Sequence, residues 1–247
     1  MKKGCEQSAI AVSLDQVQYE YQNECFEFEL QLPAGAIMAL MGASGSGKST
    51  LLSLVAGFIE PSQGQILVNG DNVVGRAPHQ RPVAMLFQEH NLFTHLTVRQ
   101  NIGLGLHPGL KLTAEQQQLV QQAAQQVGIE ELLERLPEQL SGGQRQRVAL
   151  ARCFVQPHTI WLLDEPFSAL DPVLREDMLR LVAKLAEQRK LTVLMVTHHI
   201  SDAKMIASHF AFMQQGRVSE VGEMETLNPA HENEALQAFL QAGGITG

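Results

Sequence analysis

Residues 36–50 read AIMALMGASGSGKST. The six apolar residues 36–41 run directly into a glycine-rich loop, and a helical pattern takes over at Ser49. An unbroken apolar run of that length predicts a strand buried on both faces, as in parallel sheets. The loop itself, Gly42-Ala43-Ser44-Gly45-Ser46-Gly47-Lys48-Ser49, fits G-x-x-x-x-G-K-[ST]. Its glycines let the backbone wrap closely around phosphate oxygens with successive amides pointing inward. Lys48 is placed to reach the β- and γ-phosphates, the Ser49 hydroxyl to ligate Mg²⁺, and Thr50 closes the cradle of residues 42–50.

Outward from this loop the chain alternates strands and helices. Residues 9–14 and 26–32 read as strands, the second ending at the turn Pro33-Ala34-Gly35, and 65–69 as another closed by Gly70-Asp71. Helical spacing covers 49–57. It returns in the glutamine-rich stretch 113–127, where Leu119, Val120, Ala123, Ala124 and Val127 share one side and Thr113 with Gln116 forms a capping-box pattern. Helices are also expected over 129–136 and 142–155, so residues 90–155 read as a helical insertion. The alternation resumes with a strand at 159–163, a long helix at 172–189, a strand at 191–197, a helix from Ser201 and a last strand at 210–213. Such alternation predicts an α/β fold with a parallel sheet covered on both faces.

Two further constellations carry chemistry. In Ile160-Trp161-Leu162-Leu163-Asp164-Glu165, four apolar residues predict an interior strand that delivers Asp164 to its carboxyl end, where α/β sheets bind ligands. Asp164 is expected to hold Mg²⁺, and Glu165 to polarise an attacking water as general base, worth about 10²–10⁴-fold in rate. In LSGGQ (140–144), Ser141 and Gln144 make a capping box, leaving a helix end with bare amides around Gly142 and Gly143. A single phosphate chain needs a second such end only from its other side. The simplest arrangement is two copies head to tail, each offering Ser141 to the nucleotide held by the other, so that one two-fold axis makes two sites.

Composition bounds the partners. The chain has 247 residues, is 45% hydrophobic and carries a formal charge of −8. Its densest basic stretch is Arg145, Arg147 and Arg152, which is no patch for the backbone of a nucleic acid. Cys5, Cys25 and Cys153 lack disulfide or metal spacing and read as idle thiols of a reducing compartment. The N-terminal stretch has too short an apolar run for a signal peptide, and nothing approaches the 18 apolar residues of a membrane span. His90 and His95 have no carboxylate or cysteine partners at metal-site spacing.

The order GASGSGKST, Gln88, LSGGQ, WLLDEP, SALD and a histidine after an apolar strand resembles the ATP-binding cassette (ABC) ATPases over nearly the whole chain. The resemblance implies one nucleotide-binding domain spanning 1–247. Its fold would be a P-loop NTPase (RecA-like) core, an N-terminal antiparallel β subdomain and the inserted helical subdomain at about 90–155. It implies ATP and Mg²⁺ as ligands and a head-to-tail homodimer. It makes Gln88, in MLFQEHN, the glutamine that senses the γ-phosphate and Mg²⁺. Asp171, in SALD, becomes the link between the two sites, and His198 the switch histidine at the γ-phosphate. His199 stands where relatives commonly carry aspartate. An aromatic ring should stack on adenine. Tyr19 and Tyr21 share a strand face, and spacing from Val17 resembles relatives that use the position of Tyr21.

A cassette of this size with no attached membrane domain resembles importer subunits. These sit peripherally on the cytoplasmic face of the bacterial inner membrane, bind integral permease subunits, and meet a periplasmic solute-binding protein only indirectly. Residues 89–98, with Leu92, Phe93 and Leu96, are the expected lining of the permease groove. The stretch MLFQEHNLFTHLTVRQNIGLGLHPGLKL and the tail GITG resemble the ATP-binding subunits of bacterial thiamine importers; no residue chemistry selects that solute. A soluble ABC ATPase of translation or DNA repair, and a nucleotide-gated module that seldom turns over, are the rival readings. The single cassette and acidic charge oppose the first, Glu165 and His198 the second.

Overall fold

The computed structural model describes residues 9–22, 24–87, 91–228 and 231–243. Within them ten strands join one sheet: β1 (Ile10–Tyr21), β2 (Glu24–Pro33), β3 (Ile37–Gly42), β4 (Gln63–Val68), β5 (Asp71–Asn72), β6 (Val83–Leu86), β7 (Ile160–Asp164), β8 (Thr192–Val196), β9 (His209–Gln214) and β10 (Arg217–Glu223). Their order is β5-β4-β1-β2-β10-β9-β3-β8-β7-β6. Strands β9, β3, β8, β7 and β6 run parallel, and these include the continuous apolar runs of the sequence. All six residues of β3 and all five of β8 are buried. The other half is mostly antiparallel, β1 pairing with β2 and β4, and β9 with β10. β10 pairs with β9 along its length and meets β2 at the single Arg217–Glu27 bridge, so the antiparallel strands extend the parallel sheet.

Among the described residues seven α-helices cover it: α1 (Lys48–Ala56), α2 (Val98–Gly103), α3 (Ala114–Gln126), α4 (Gly142–Phe154), α5 (Pro172–Arg189), α6 (Ile200–Ile206) and α7 (Glu234–Ala242). One core lies between β6–β8 and helices α2 to α5. A second joins α1 to the antiparallel strands and to the other face of β3, β7 and β8. A third packs α6 and α7 on β3 and β9. Both faces of the parallel strands are therefore covered, as their lack of alternation requires.

Three expectations change. The helix expected over 129–136 is only a 3₁₀ turn, Glu130–Leu132. Gly128, at φ 68°, ends the preceding helix, and Leu136 is extended ahead of Pro137, so the segment is closed off at both ends. Ile129, Leu132 and Leu133 are buried all the same. The first strand runs on to Tyr21 through a bulge at Gln16 (φ 49°), whose register shift breaks the alternation after Leu14. The strand at 209–214 is not the last, because β10 returns along it and α7 follows. The basic residues of α4 are partly spent inside the fold: Arg147 donates to Val127 O (2.7 Å) and Arg152 to Asn91 O (3.0 Å).

Candidate functional site

The phosphate loop leaves β3 with Gly42 at φ 148°, and a Cβ there would strike the Met213 carbonyl. Gly47, at φ 100°, lies over Phe26, whose ring is 2.8 Å from where a Cβ would stand. Gly47 is also the N-cap of α1 and supplies no side-chain acceptor, so the first amides of the helix are left for a ligand. Lys48 folds back over the loop, its Nζ donating to Gly42 O (2.9 Å) and Ala43 O (2.7 Å). Burial pulls the Lys48 ammonium below the ordinary lysine pKa, and the charges of Glu165 and Asp164 oppose that.

β7 lies one strand in from the edge and carries Asp164 to its carboxyl end. There Ser49 Oγ donates to Asp164 Oδ1 at 3.1 Å, so the loop serine and the strand carboxylate meet across 115 residues of sequence. Burial raises the Asp164 carboxyl above the usual aspartate range, the Ser49 hydrogen bond lowers it and the charge of Glu165 raises it further. A hydroxyl and a carboxylate at this separation form a hard oxygen donor set of the kind Mg²⁺ takes.

Glu165 follows at φ 44°, a left-handed conformation that a glutamate adopts at a cost of about 1–3 kcal/mol. Its Oε2 is 3.4 Å from His198 Nδ1, at the end of β8. Glu165 is one quarter exposed and His198 nearly half, so a water can reach both side chains. The His198 ring lies against His199, with centroids 4.3 Å apart. Thr197 Oγ1 accepts from His199 N (3.1 Å) and donates toward Asp202 (3.5 Å), fixing the chain beyond β8. Neither Thr197 nor Asp202 was singled out in the sequence; a threonine ending an apolar strand and an aspartate in the next helix's first turn are the only signals.

The LSGGQ helix end forms as its pattern predicts. Ser141 N-caps α4, accepting from Gln144 N (3.3 Å), while Gln144 Oε1 accepts from Ser141 N (2.9 Å). A Cβ on Gly142 would meet nothing within 4 Å, so that backbone faces open space, whereas one on Gly143 would strike Leu174 of α5. Gly45 of the phosphate loop likewise faces open space. The chain therefore carries two open helix ends, one on α1 and one on α4. Asp171 is used as the N-cap of α5, its Oδ1 accepting from Val173 N (3.2 Å) and Leu174 N (3.0 Å).

The two tyrosines separate. Tyr19 packs into the core, its ring 6.3 Å from that of Phe26, while Tyr21 is 54% exposed at the strand end. Tyr21 is the more exposed of the two rings. Gln88, Glu89 and His90 lie outside the described residues. Of the expected groove lining, Leu92 packs against the helical core and Phe93 is 49% exposed. The loop 93–97 is held by Asn101, a buried residue of α2 that the sequence reading passed over. Its Nδ2 donates to Phe93 O (3.1 Å), Leu96 O (2.9 Å) and Thr97 O (3.1 Å), and its Oδ1 accepts from Phe93 N (2.9 Å). An asparagine on the apolar face of a helical repeat is the signal that could have found it.

Comparison with known proteins agrees with this geometry. Residues 25–168, more than half of the chain, match the ABC transporter family model. The thiamine import ATP-binding protein of Vibrio parahaemolyticus is 68% identical over 231 residues, 94% of this chain and 99% of that protein. The thiamine import ATP-binding protein of Yersinia pestis is 54% identical over 216 residues, 87% and 92% of the two chains. Among solved structures, the ATP-binding cassette MJ0796, a post-hydrolysis dimer bound to ADP and Pi, superposes with a TM-score of 0.76 at 28% identity, covering 86% of this chain and 98% of that one. A dimer of the same bacterial ABC transporter cassette gives 0.75.

Proposed function

The chain belongs to the ABC transporter family, and from that premise we propose that it is the ATP-hydrolysing motor subunit of a thiamine importer, working as a head-to-tail homodimer beneath integral permease subunits. Thiamine comes from the import proteins it resembles and from no residue of its own. Among the described residues no helix is long and apolar enough to cross a membrane, so the solute's path belongs to the permease.

The observation that carries the reading is the meeting of Ser49, Asp164, Glu165 and His198 at the carboxyl ends of the parallel strands. The amides of 42–49 and the Lys48 ammonium cradle the β- and γ-phosphates. Ser49 and Asp164, with Gln88 by family resemblance, would hold Mg²⁺, which would supply positive charge to the phosphates. The exposed ring of Tyr21 stacks on adenine. Glu165 takes the proton of a water as its oxygen attacks the γ-phosphorus and the bond to the β-phosphate oxygen breaks. His198 donates to a γ-phosphate oxygen and, through its contact with Glu165, reports whether that phosphate is present. The open amides at Ser141, Gly142 and Gly143 of the second copy close the γ-phosphate from the far side. Each charge-assisted hydrogen bond there contributes about 1.5–3 kcal/mol, so loss of γ-phosphate releases the dimer.

Glu165→Gln tests the assignment. The variant should bind ATP, lose turnover by at least about 100-fold, and sediment as a dimer only when ATP is present. A variant that hydrolyses ATP at the normal rate removes Glu165 as the base.

A further inference from the structure

Ser49 of α1 meets Asp164 of β7 at 3.1 Å, a distance that depends on where α1 sits along its own axis. The helix has nine residues and is about 13 Å long. Its buried side chains, Leu51, Leu52, Leu54 and Val55 among them, pack by apolar contact, which is non-directional and resists axial sliding only weakly. A directional tie lies at the far end. Arg81, its side chain wholly buried, donates from Nη1 to Leu54 O (2.6 Å) and Val55 O (3.3 Å). The chain's own amides cap Ser53 O and Leu54 O, from Phe58 N and Gly57 N, and among the described residues no backbone amide reaches Val55 O. α1 has no basic residue in its last turn, so Arg81 also supplies the cation its negative end favours. Gly57, at φ 83°, makes room: a Cβ there would stand 2.3 Å from Arg81 Nε.

The guanidinium is itself held. Its Nε donates to Arg76 O (2.9 Å) and its Nη2 to Glu60 Oε1 (2.7 Å), while Glu60 Oε2 accepts from Gly75 N (3.1 Å). The backbone of Arg81 runs straight into β6, with Val83 N donating to Arg81 O (2.8 Å). β6 pairs in parallel with β7 from Val83–Ile160 to Leu86–Leu163, one residue short of Asp164. The contacts close a loop: β7 to β6, β6 to Arg81, Arg81 to the carboxyl end of α1, α1 to Ser49, and Ser49 back to Asp164. Each link is a hydrogen bond, a strand ladder or the chain itself.

We propose that Arg81 is a positioning residue for the phosphate site: by pinning the carboxyl end of α1 to the root of β6, it fixes the helix along its axis and keeps Ser49 at ion-binding distance from Asp164. The inference rests on the reading of Ser49 and Asp164 given above and deepens it. Guanidinium suits the task because it is weakly hydrated and its donors form a rigid planar fork, able to take helix carbonyls, a loop carbonyl and a carboxylate at once. A lysine keeps the charge but is a point donor on a flexible stem, and cannot hold all of these together. Glu60 is an outer brace, because the bonds from Arg81 to Leu54 O, Val55 O and Arg76 O do not pass through it.

The test is the Mg²⁺ requirement of the full chain, read in two ways: the Mg²⁺ concentration that half-saturates ATP hydrolysis, and the one that half-saturates the signal of bound fluorescent ADP, which involves no turnover. Urea midpoints report stability separately, and each variant is compared where circular dichroism shows it folded. In Arg81→Met both half-saturation points should rise about tenfold or more, the penalty of losing a support behind an ion's ligands. Arg81→Lys should fall between Arg81→Met and the parent, and it carries the test alone if Arg81→Met does not fold. Glu60→Gln should lower the urea midpoint yet leave the Mg²⁺ requirement within about twofold of the parent, since the carbonyl bonds remain. Folded Arg81 variants with a lower urea midpoint and the parent's Mg²⁺ requirement overturn the positioning role and leave a purely structural one. Glu60→Gln matching the Arg81 variants in Mg²⁺ requirement overturns the assignment to the helix carbonyls. Ser49→Ala separates this from the reading beneath it: if that variant keeps the parent's Mg²⁺ requirement, the ion site itself is misassigned and the proposal falls with it.

Discussion

Lys48 is where the site's electrostatics are most concentrated. Its ammonium is desolvated, rests on two loop carbonyls and stands near two carboxylates. A phosphate chain would replace the carbonyls with stronger, charged acceptors. Lys48→Ala should weaken ATP binding by roughly 10- to 100-fold, from loss of charged hydrogen bonds worth about 1.5–3 kcal/mol; fluorescent-nucleotide titration measures it, and unchanged affinity would remove Lys48 from the cradle. Cys153 shows the opposite use of burial. Its thiol donates to Met85 O, and desolvation pushes it up to about 12. The folded value lies above the unfolded 9.0, so this contribution to stability is complete below pH 9 and is lost as pH rises toward 12. Urea midpoints should fall over that window and Cys153→Ala should flatten the fall. Iodoacetamide should spare Cys153 in the folded chain while exposed Cys25 reacts.

At the scale of elements, the helix that opens at LSGGQ is set by its neighbour as well as by its cap. Gly143 lets α4 approach Leu174 of α5 more closely than any Cβ allows. Gly143→Ala should therefore push the two helix starts apart and cost about 1–3 kcal/mol, read as a lower urea midpoint together with reduced turnover. The loop 93–97 depends in the same way on α2. Asn101→Ala removes the amide that bridges Phe93, Leu96 and Thr97 and takes the side-chain partner from Leu96 O and Phe93 N, for a loss of about 1–3 kcal/mol. It should also loosen Phe93, so pull-down of the permease should weaken more than ATP binding does. Equal stability of the variant and parent would show that the loop needs no such anchor.

For the whole molecule, the question is how two open helix ends share one nucleotide. If the site is completed by a second copy, Ser141→Arg and Lys48→Ala damage different halves of it. Mixed together, they form some dimers with one doubly damaged site and one intact site. Random pairing should then restore about a quarter of the parent turnover, measured as phosphate release, where each variant alone is inactive. No recovery at any mixing ratio would mean that both sites must be whole at once.

The phosphate loop, the Asp164–Glu165 strand end, the capped LSGGQ helix and the parallel frame were all legible in the chain. Each rests on a local cause: glycine's access to positive φ, a capping box, or an apolar run too long to face water. The failures were local too. An apolar, helix-like octamer at 129–136 yields a 3₁₀ turn because glycine and proline bracket it, and the alternation of β1 is hidden by the bulge at Gln16. The choice between Tyr19 and Tyr21 illustrates the boundary, since strand parity gives both the same face and only the packing against Phe26 leaves one half-buried and the other exposed. What the sequence determined alone was which groups could hold phosphate and move a proton. That Ser49 meets Asp164 and that Glu165 meets His198 was decided by the tertiary structure, because the parallel register brings together carboxyl ends separated by up to a hundred and more residues of chain, and no local preference encodes that distance.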